Sequence, residues 1–163
     1  MESSATRSPV RALRAIAVLV IVAGAVFVVA GVFTWFVVRD QLADENITVS
    51  DDADNFAGDP VDGPFTAYAE ANTIERHGLE ASEGLTYAEL EQDDPRRDTV
   101  MTASFLRASL FTSIVAFGVA FFAFGVGLVL IVIGVALLRI RRQFDDLVEP
   151  AVVTPTARPL SGP

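Results

Sequence analysis

Few side chains in this sequence are of types that do chemistry, and their spacing decides what that chemistry is. The acidic run Asp51, Asp52, Asp54 and Asn55 offers the oxygen ligands that hard cations such as Ca²⁺ take. An EF-hand loop needs a ligand at its fifth place, Gly at its sixth and Glu at its twelfth. Counted from Asp52 these places hold Phe56, Ala57 and Gly63, so the signature fails and the run reads as a solvated acidic loop. The single histidine, His77, stands beside Glu75 and Arg76 and just before Gly78, the setting of a helix C-terminal histidine favoured by the dipole. A metal there would need carboxylates or another subunit for its other ligands. Asn46-Ile47-Thr48 has the form of a glycosylation sequon. With no cysteine, zinc-thiolate sites, iron–sulfur clusters, disulfides and a cysteine nucleophile are excluded. No Gly-rich phosphate loop, nucleophile elbow or HExxH motif is present. The sequence therefore leads us to expect no catalytic residue, no cofactor and no metal site.

The elements that carry these groups follow from how charge is segregated. Of the 163 residues 52% are apolar, yet the net charge is −9. Ala15 to Val38 is 24 residues without a charge, and Ala108 to Leu138 is 31. Between Asp40 and Asp98 lie 17 of the 21 acids with only Arg76, Arg96 and Arg97, a net of −14. A bilayer core of about 30 Å needs about 20 helical residues, so each uncharged stretch is long enough to span it. The first is too long for a signal-peptide h-region and lacks an A-x-A site after Val38, so it reads as an uncleaved anchor. The basic side chains are 12 Arg and no Lys, which suggests a GC-rich bacterial genome.

Arginine placement gives the threading, because basic residues near span ends stay in the cytoplasm. Arg7, Arg11 and Arg14 precede the first span, and Arg139, Arg141 and Arg142 follow the second. The expected organisation is a cytoplasmic tail (1–14), a first span (15–38), an acidic extracytoplasmic segment (39–107), a second span (108–138) and a largely disordered cytoplasmic tail (139–163). The fold class is an all-α membrane protein, a two-helix transmembrane hairpin with a small, mainly helical outer segment in a bacterial plasma membrane. Phe33, Trp35 and Phe36 would mark the outer interface.

Neither span carries an ionisable residue or a proline, which argues against pumps, ion-coupled carriers and broken-helix ion sites. The second span carries small residues at Ser109, Ser113, Ala116, Ala120, Ala123, Gly127 and Gly134, interrupted by Leu130. The first carries Ala23, Gly24, Ala30, Gly31 and Thr34. Such spacing puts small residues on one helix face, where another backbone approaches closely. We take Gly24, Gly31 and the second-span row as candidate helix-packing residues, facing the other span, a second copy or a larger complex.

Outside the spans, Ser8 and Pro9 predict the start of the first helix. The alternation in NITVS is a weak strand signal, and DDADNFAGDPVDGP is loop. Pro64 opens a helix through Arg76 with Gly78 as its stop. In LTYAEL, Thr86 and Glu89 form a capping box with Leu85 and Leu90 as staple, predicting a short helix from Tyr87 to about Gln92. Asp94 and Pro95 then open one helix running to Arg142. The outer segment holds too few apolar residues to fold alone and must fold against the projecting helix or a partner. Its crowded carboxylates should repel, raising their pKa values in the folded state; the competing expectation is that acids which pair or cap, as Asp94 and Glu89 should, have lowered values instead.

DPVDGPFTAYAEA, TYAEL and DTVMTASFLRASLFTSIVAFGVAFFAFGVGL resemble a family of small two-span actinobacterial membrane proteins, over roughly Ala15 to Leu138. Its members often carry the label aromatic ring-opening dioxygenase, which implies non-haem iron held by two histidines and a carboxylate. A single histidine leaves no such motif to transfer. The expected function is thus a non-catalytic accessory or assembly subunit, with the bilayer and a membrane protein or second copy as partners and no nucleic acid or small-molecule substrate. The alternatives are an extracytoplasmic module sensing cations or an envelope ligand and, third, the dioxygenase.

Overall fold

The computed structural model describes the backbone of residues 7–148 and the side chains of residues 12–140. Three helices are present among the described residues: α1 (Arg7–Asp44), α2 (Pro64–Ala81) and α3 (Arg97–Val148). No strand occurs there; the NITVS signal resolves to one isolated bridge, Thr48 with Pro60. Two of the helices are long and apolar enough to cross a membrane, over Ala12–Asp44 and Arg97–Ile140. Only 17% and 11% of their most apolar stretches are buried, the reverse of a soluble core helix.

The chain divides into two compact units, residues 1–26 with 127–163, and residues 27–126. In the first, glycine lets α1 and α3 meet backbone to backbone. A Cβ on Gly24 would sit 2.7 Å from the Gly127 carbonyl oxygen, and one on Gly134 would sit 2.9 Å from that of Ala17. Ala17 is fully buried. As the chain advances along α1 the contact moves back along α3, so these segments run antiparallel. The second unit holds the same kind of contact at Gly31, where a Cβ would lie 2.6 Å from the Ala120 oxygen and 2.8 Å from the Phe124 nitrogen. Beside it Trp35 meets Phe117 edge to face at 4.8 Å.

The acidic segment between the two uncharged stretches, for which the outer side is expected, belongs to this second unit and has no core of its own. Val49, Val61, Ala67 and Ala71 are buried together with Leu42 of α1 and with Leu110 and Phe117 of α3. The 47–61 loop folds back on itself: Val49 N–H donates to Asp59 O and Val61 N–H to Ile47 O, each at 2.9 Å. It is pinned to α2 by Glu70, whose carboxylate accepts from the Ser50 N–H at 2.7 Å and its hydroxyl at 3.1 Å. Along α3, α2 runs antiparallel, with Tyr68 against Phe111, Glu75 against Arg107 and Gly78 against Ala103.

Four expected boundaries shift. α1 already includes Arg7, Ser8 and Pro9, so Ser8 is not its N-cap. α2 does begin at Pro64, where Thr66 accepts from the Gly63 N–H, but it runs to Ala81. Gly78 lies inside it because its bare Cα admits Ala103, whose Cβ would be 3.0 Å from a Cβ there. The stop is a Schellman turn after the C-cap Ser82: Glu83, at φ +58°, donates its N–H to Glu80 O at 3.2 Å and Gly84, at φ +86°, donates to Leu79 O at 2.7 Å. Tyr87 to Gln92 forms turns rather than a helix. The Glu89 carboxylate accepts from both the N–H and the hydroxyl of Thr86, which is one half of a capping box, but the Glu89 N–H donates to the Thr86 carbonyl at 3.0 Å instead of to the hydroxyl. The Arg97 guanidinium also takes the Leu90 carbonyl at 2.6 Å. α3 starts at Arg97, two residues after Pro95, and extends past Arg142 to Val148. The tail beyond Val148, expected to be disordered, lies outside the described residues.

Replacing Gly31 by Ala puts a methyl against rigid backbone and should cost about 1–3 kcal/mol, as overpacking does. Gly118→Ala, with nothing within 4 Å, should be neutral or slightly stabilising. Unfolding of both variants in detergent checks this; equal stability would mean that the helices do not meet at Gly31.

Candidate functional site

The small-residue rows separate into two environments. Gly24, Gly127 and Gly134 line the contact in the first unit, and Gly31 and Ala120 that in the second. Ala116 and Ala123 are half-buried. Ser109 and Ser113, nearest the N-terminal end of the row, instead border an open cleft of about 480 Å³ in the second unit.

Three elements build this cleft. α1 supplies Gln41, Leu42 and Asp44, and its end is set by Asn46, at φ +53° with its side-chain amide donating to Asp44 O at 2.8 Å. The left-handed turn, which Asn tolerates, sends Ile47 back across the helix end. α2 supplies Ile74 and α3 supplies Leu106, Ser109, Leu110 and Ser113. The floor is apolar, with Leu42 and Leu110 buried, while Asp44 and Glu45 put two carboxylates on the rim. An apolar hollow with an acidic edge takes an apolar side chain accompanied by a cation, as protein segments present them.

Several other polar groups of the second unit form ion pairs. Asp52 accepts from Arg76 at 2.9 Å and faces His77 Nε2 at 2.6 Å, so His77 sits within α2 as a partner of the acidic loop rather than at a helix end. Asp62 pairs with Arg39 at 2.7 Å, Glu75 with Arg107 at 2.8 Å, and Arg96 with Asp94 at 2.7 Å and Glu83 at 3.0 Å. Among the described residues no three His, Asp or Glu side chains converge as metal ligands.

At three carboxylates hydrogen bonding acts opposite to crowding, and two of them, Glu89 and Asp94, are the ones expected to cap or pair. Hydrogen bonding to His77, then to Arg76, holds the Asp52 carboxyl below the usual carboxylate range. The Thr86 N–H and hydroxyl do the same for Glu89. Asp94 is lowered to about 2, chiefly by the Arg96 guanidinium and then by the Arg96 N–H.

Sequence reasoning did not find Ala17, although it lies seven residues before Gly24 and fourteen before Gly31. Nor did it place Asp44, Glu45, Ile74 and Leu106 together, since nothing in local spacing tells that α2 folds back onto α3. Comparison with protein-family models, with curated proteins and with solved structures finds no match for this chain.

Depressed folded-state pKa values mean that the unfolded chain binds more protons in acid. Stability from Asp52, Glu89 and Asp94 is present above the unfolded carboxylate pKa of about 4 and is lost as pH falls through the folded values. Thermal midpoints in neutral detergent should therefore fall from pH 5 to pH 2.5, less so in Asp94→Asn. A midpoint that rises on acidification would restore the crowding account.

Proposed function

We propose that this chain is a non-catalytic, two-span integral protein of a bacterial plasma membrane that serves as an accessory or assembly subunit. Both ends are cytoplasmic and the acidic segment is outside. The carrying observation is the cleft beside Leu106: an apolar, acid-rimmed hollow on the outer segment at the head of two apolar helices. Lipid tails suffice to cover Leu19, Val29, Phe121 and Phe122, which are about two-thirds exposed. Leu106, half-exposed and outside the uncharged stretch, is suited to a protein partner. The arginines flanking the inner ends of both uncharged stretches support the threading. A second copy of the chain is the simplest alternative occupant. The cation-sensing reading draws on an acidic run whose Asp52 is already held by Arg76 and His77.

Purification in mild detergent should yield a membrane protein or second copy in fixed stoichiometry, lost in Leu106→Glu and kept in Leu19→Ala. A monodisperse monomer with nothing bound would contradict the subunit reading.

The threading has its own test, since the chain lacks native cysteine. An impermeant thiol reagent on whole cells should label Asp54→Cys and leave Ser161→Cys untouched until the membrane is opened. The opposite pattern would invert the topology.

A further inference from the structure

α2 begins in a way that is unusual for its surroundings. It lies in the most acidic part of the chain, and helix N-termini favour carboxylates, yet its first turn has none. Its first six residues, Pro64 to Ala69, are uncharged. The next residue, Glu70, is turned inward to Ser50. On the outward face Phe65 is 75% and Tyr68 52% exposed, and one turn further along that face stands the polar Asn72.

Contacts within the second unit fix the level at which this aromatic pair stands. Asp62, two residues before α2, is bonded to Arg39, the first charge after the uncharged stretch of α1. The Tyr68 ring lies 6.1 Å from that of Phe111, which belongs to the uncharged stretch of α3. Because α2 runs antiparallel to α3, Phe65 lies further along α3 in the direction of the bilayer than Tyr68 does. Glu75 and Arg107 pair on the opposite, watery side of that level.

We infer that the first turns of α2 rest in the outer-leaflet interface of the chain's own bilayer, with Phe65 and Tyr68 as anchors at headgroup depth. This rests on the membrane reading above. Aromatic rings with one apolar and one wet side are stable at that depth, as Tyr is with its hydroxyl toward water. The continuity of Tyr68 with Phe111 names the occupant: the lipid that covers the α3 face also covers the start of α2. The outer segment would then be seated on the bilayer, which sets the depth of the Leu106 cleft above it.

Spin labels on single cysteines in the full chain test this, after reconstitution into phosphatidylethanolamine and phosphatidylglycerol vesicles. Phe65→Cys and Tyr68→Cys are the test positions, Val119→Cys the span control and Tyr87→Cys the outer control; all four side chains are exposed, so labels there leave the core intact. The ratio of oxygen to nickel-chelate accessibility should be several-fold higher at 65, 68 and 119 than at 87. A high ratio at 119 with values at 65 and 68 equal to that at 87 would overturn this inference and leave the membrane reading standing. A low ratio at 119 would overturn both.

Discussion

The outer segment depends on apolar surface that belongs to the long helices. Val49, Val61, Ala67 and Ala71 are small side chains, and together they remove too little surface from water to offset the ordering of a segment this long. Leu42, Leu110 and Phe117 complete the cluster, and all three project from α1 or α3. That sharing sets the remaining features of the unit. Glu70 can be buried because Ser50 is brought to it, and α2, antiparallel on α3, buries Ala67 and Ala71 in the same cluster as Leu110 and Phe117.

The same economy explains the glycines. In lipid no hydrophobic effect drives two apolar helices together, and close backbone approach supplies the attraction instead. Gly24, Gly31 and Gly134 are the positions at which a methyl would meet backbone atoms of the other helix, whereas Gly118 and Gly125 have open space around them. Small residues at helical spacing thus serve internal contact at some positions and stay free at others. The spacing alone does not distinguish them.

What the sequence made legible follows from how local each signal is. Long uncharged runs, proline at the start of α2 and the Thr86–Glu89 pairing are written in neighbouring residues, and each reappears as α1, α3, the Pro64 helix start and the Glu89 hydrogen bonds. The failures need distant partners. Gly78 reads as a stop until Ala103 is known to pack on it, and Tyr87 to Gln92 reads as a helix until Arg97 takes the Leu90 carbonyl. The acidic run reads as crowded until Arg76 and His77 are seen to meet Asp52 across 24 and 25 residues. Of the candidate site, Ser109 and Ser113 read from spacing as helix-packing residues, while the cleft they border depends on the antiparallel return of α2.

The central claim is that the outer segment and the helix surfaces beneath it fold as one body. Hydrogen exchange in detergent, resolved along the chain, tests it directly. The account predicts that amides around Val49, Val61 and the buried face of α2 are protected to the same degree as those from Leu110 to Phe117, and lose that protection in a single opening. Rapid exchange throughout residues 47–81 while Leu110 to Phe117 stays protected would contradict it, and would mean an independent outer segment tethered to two helices.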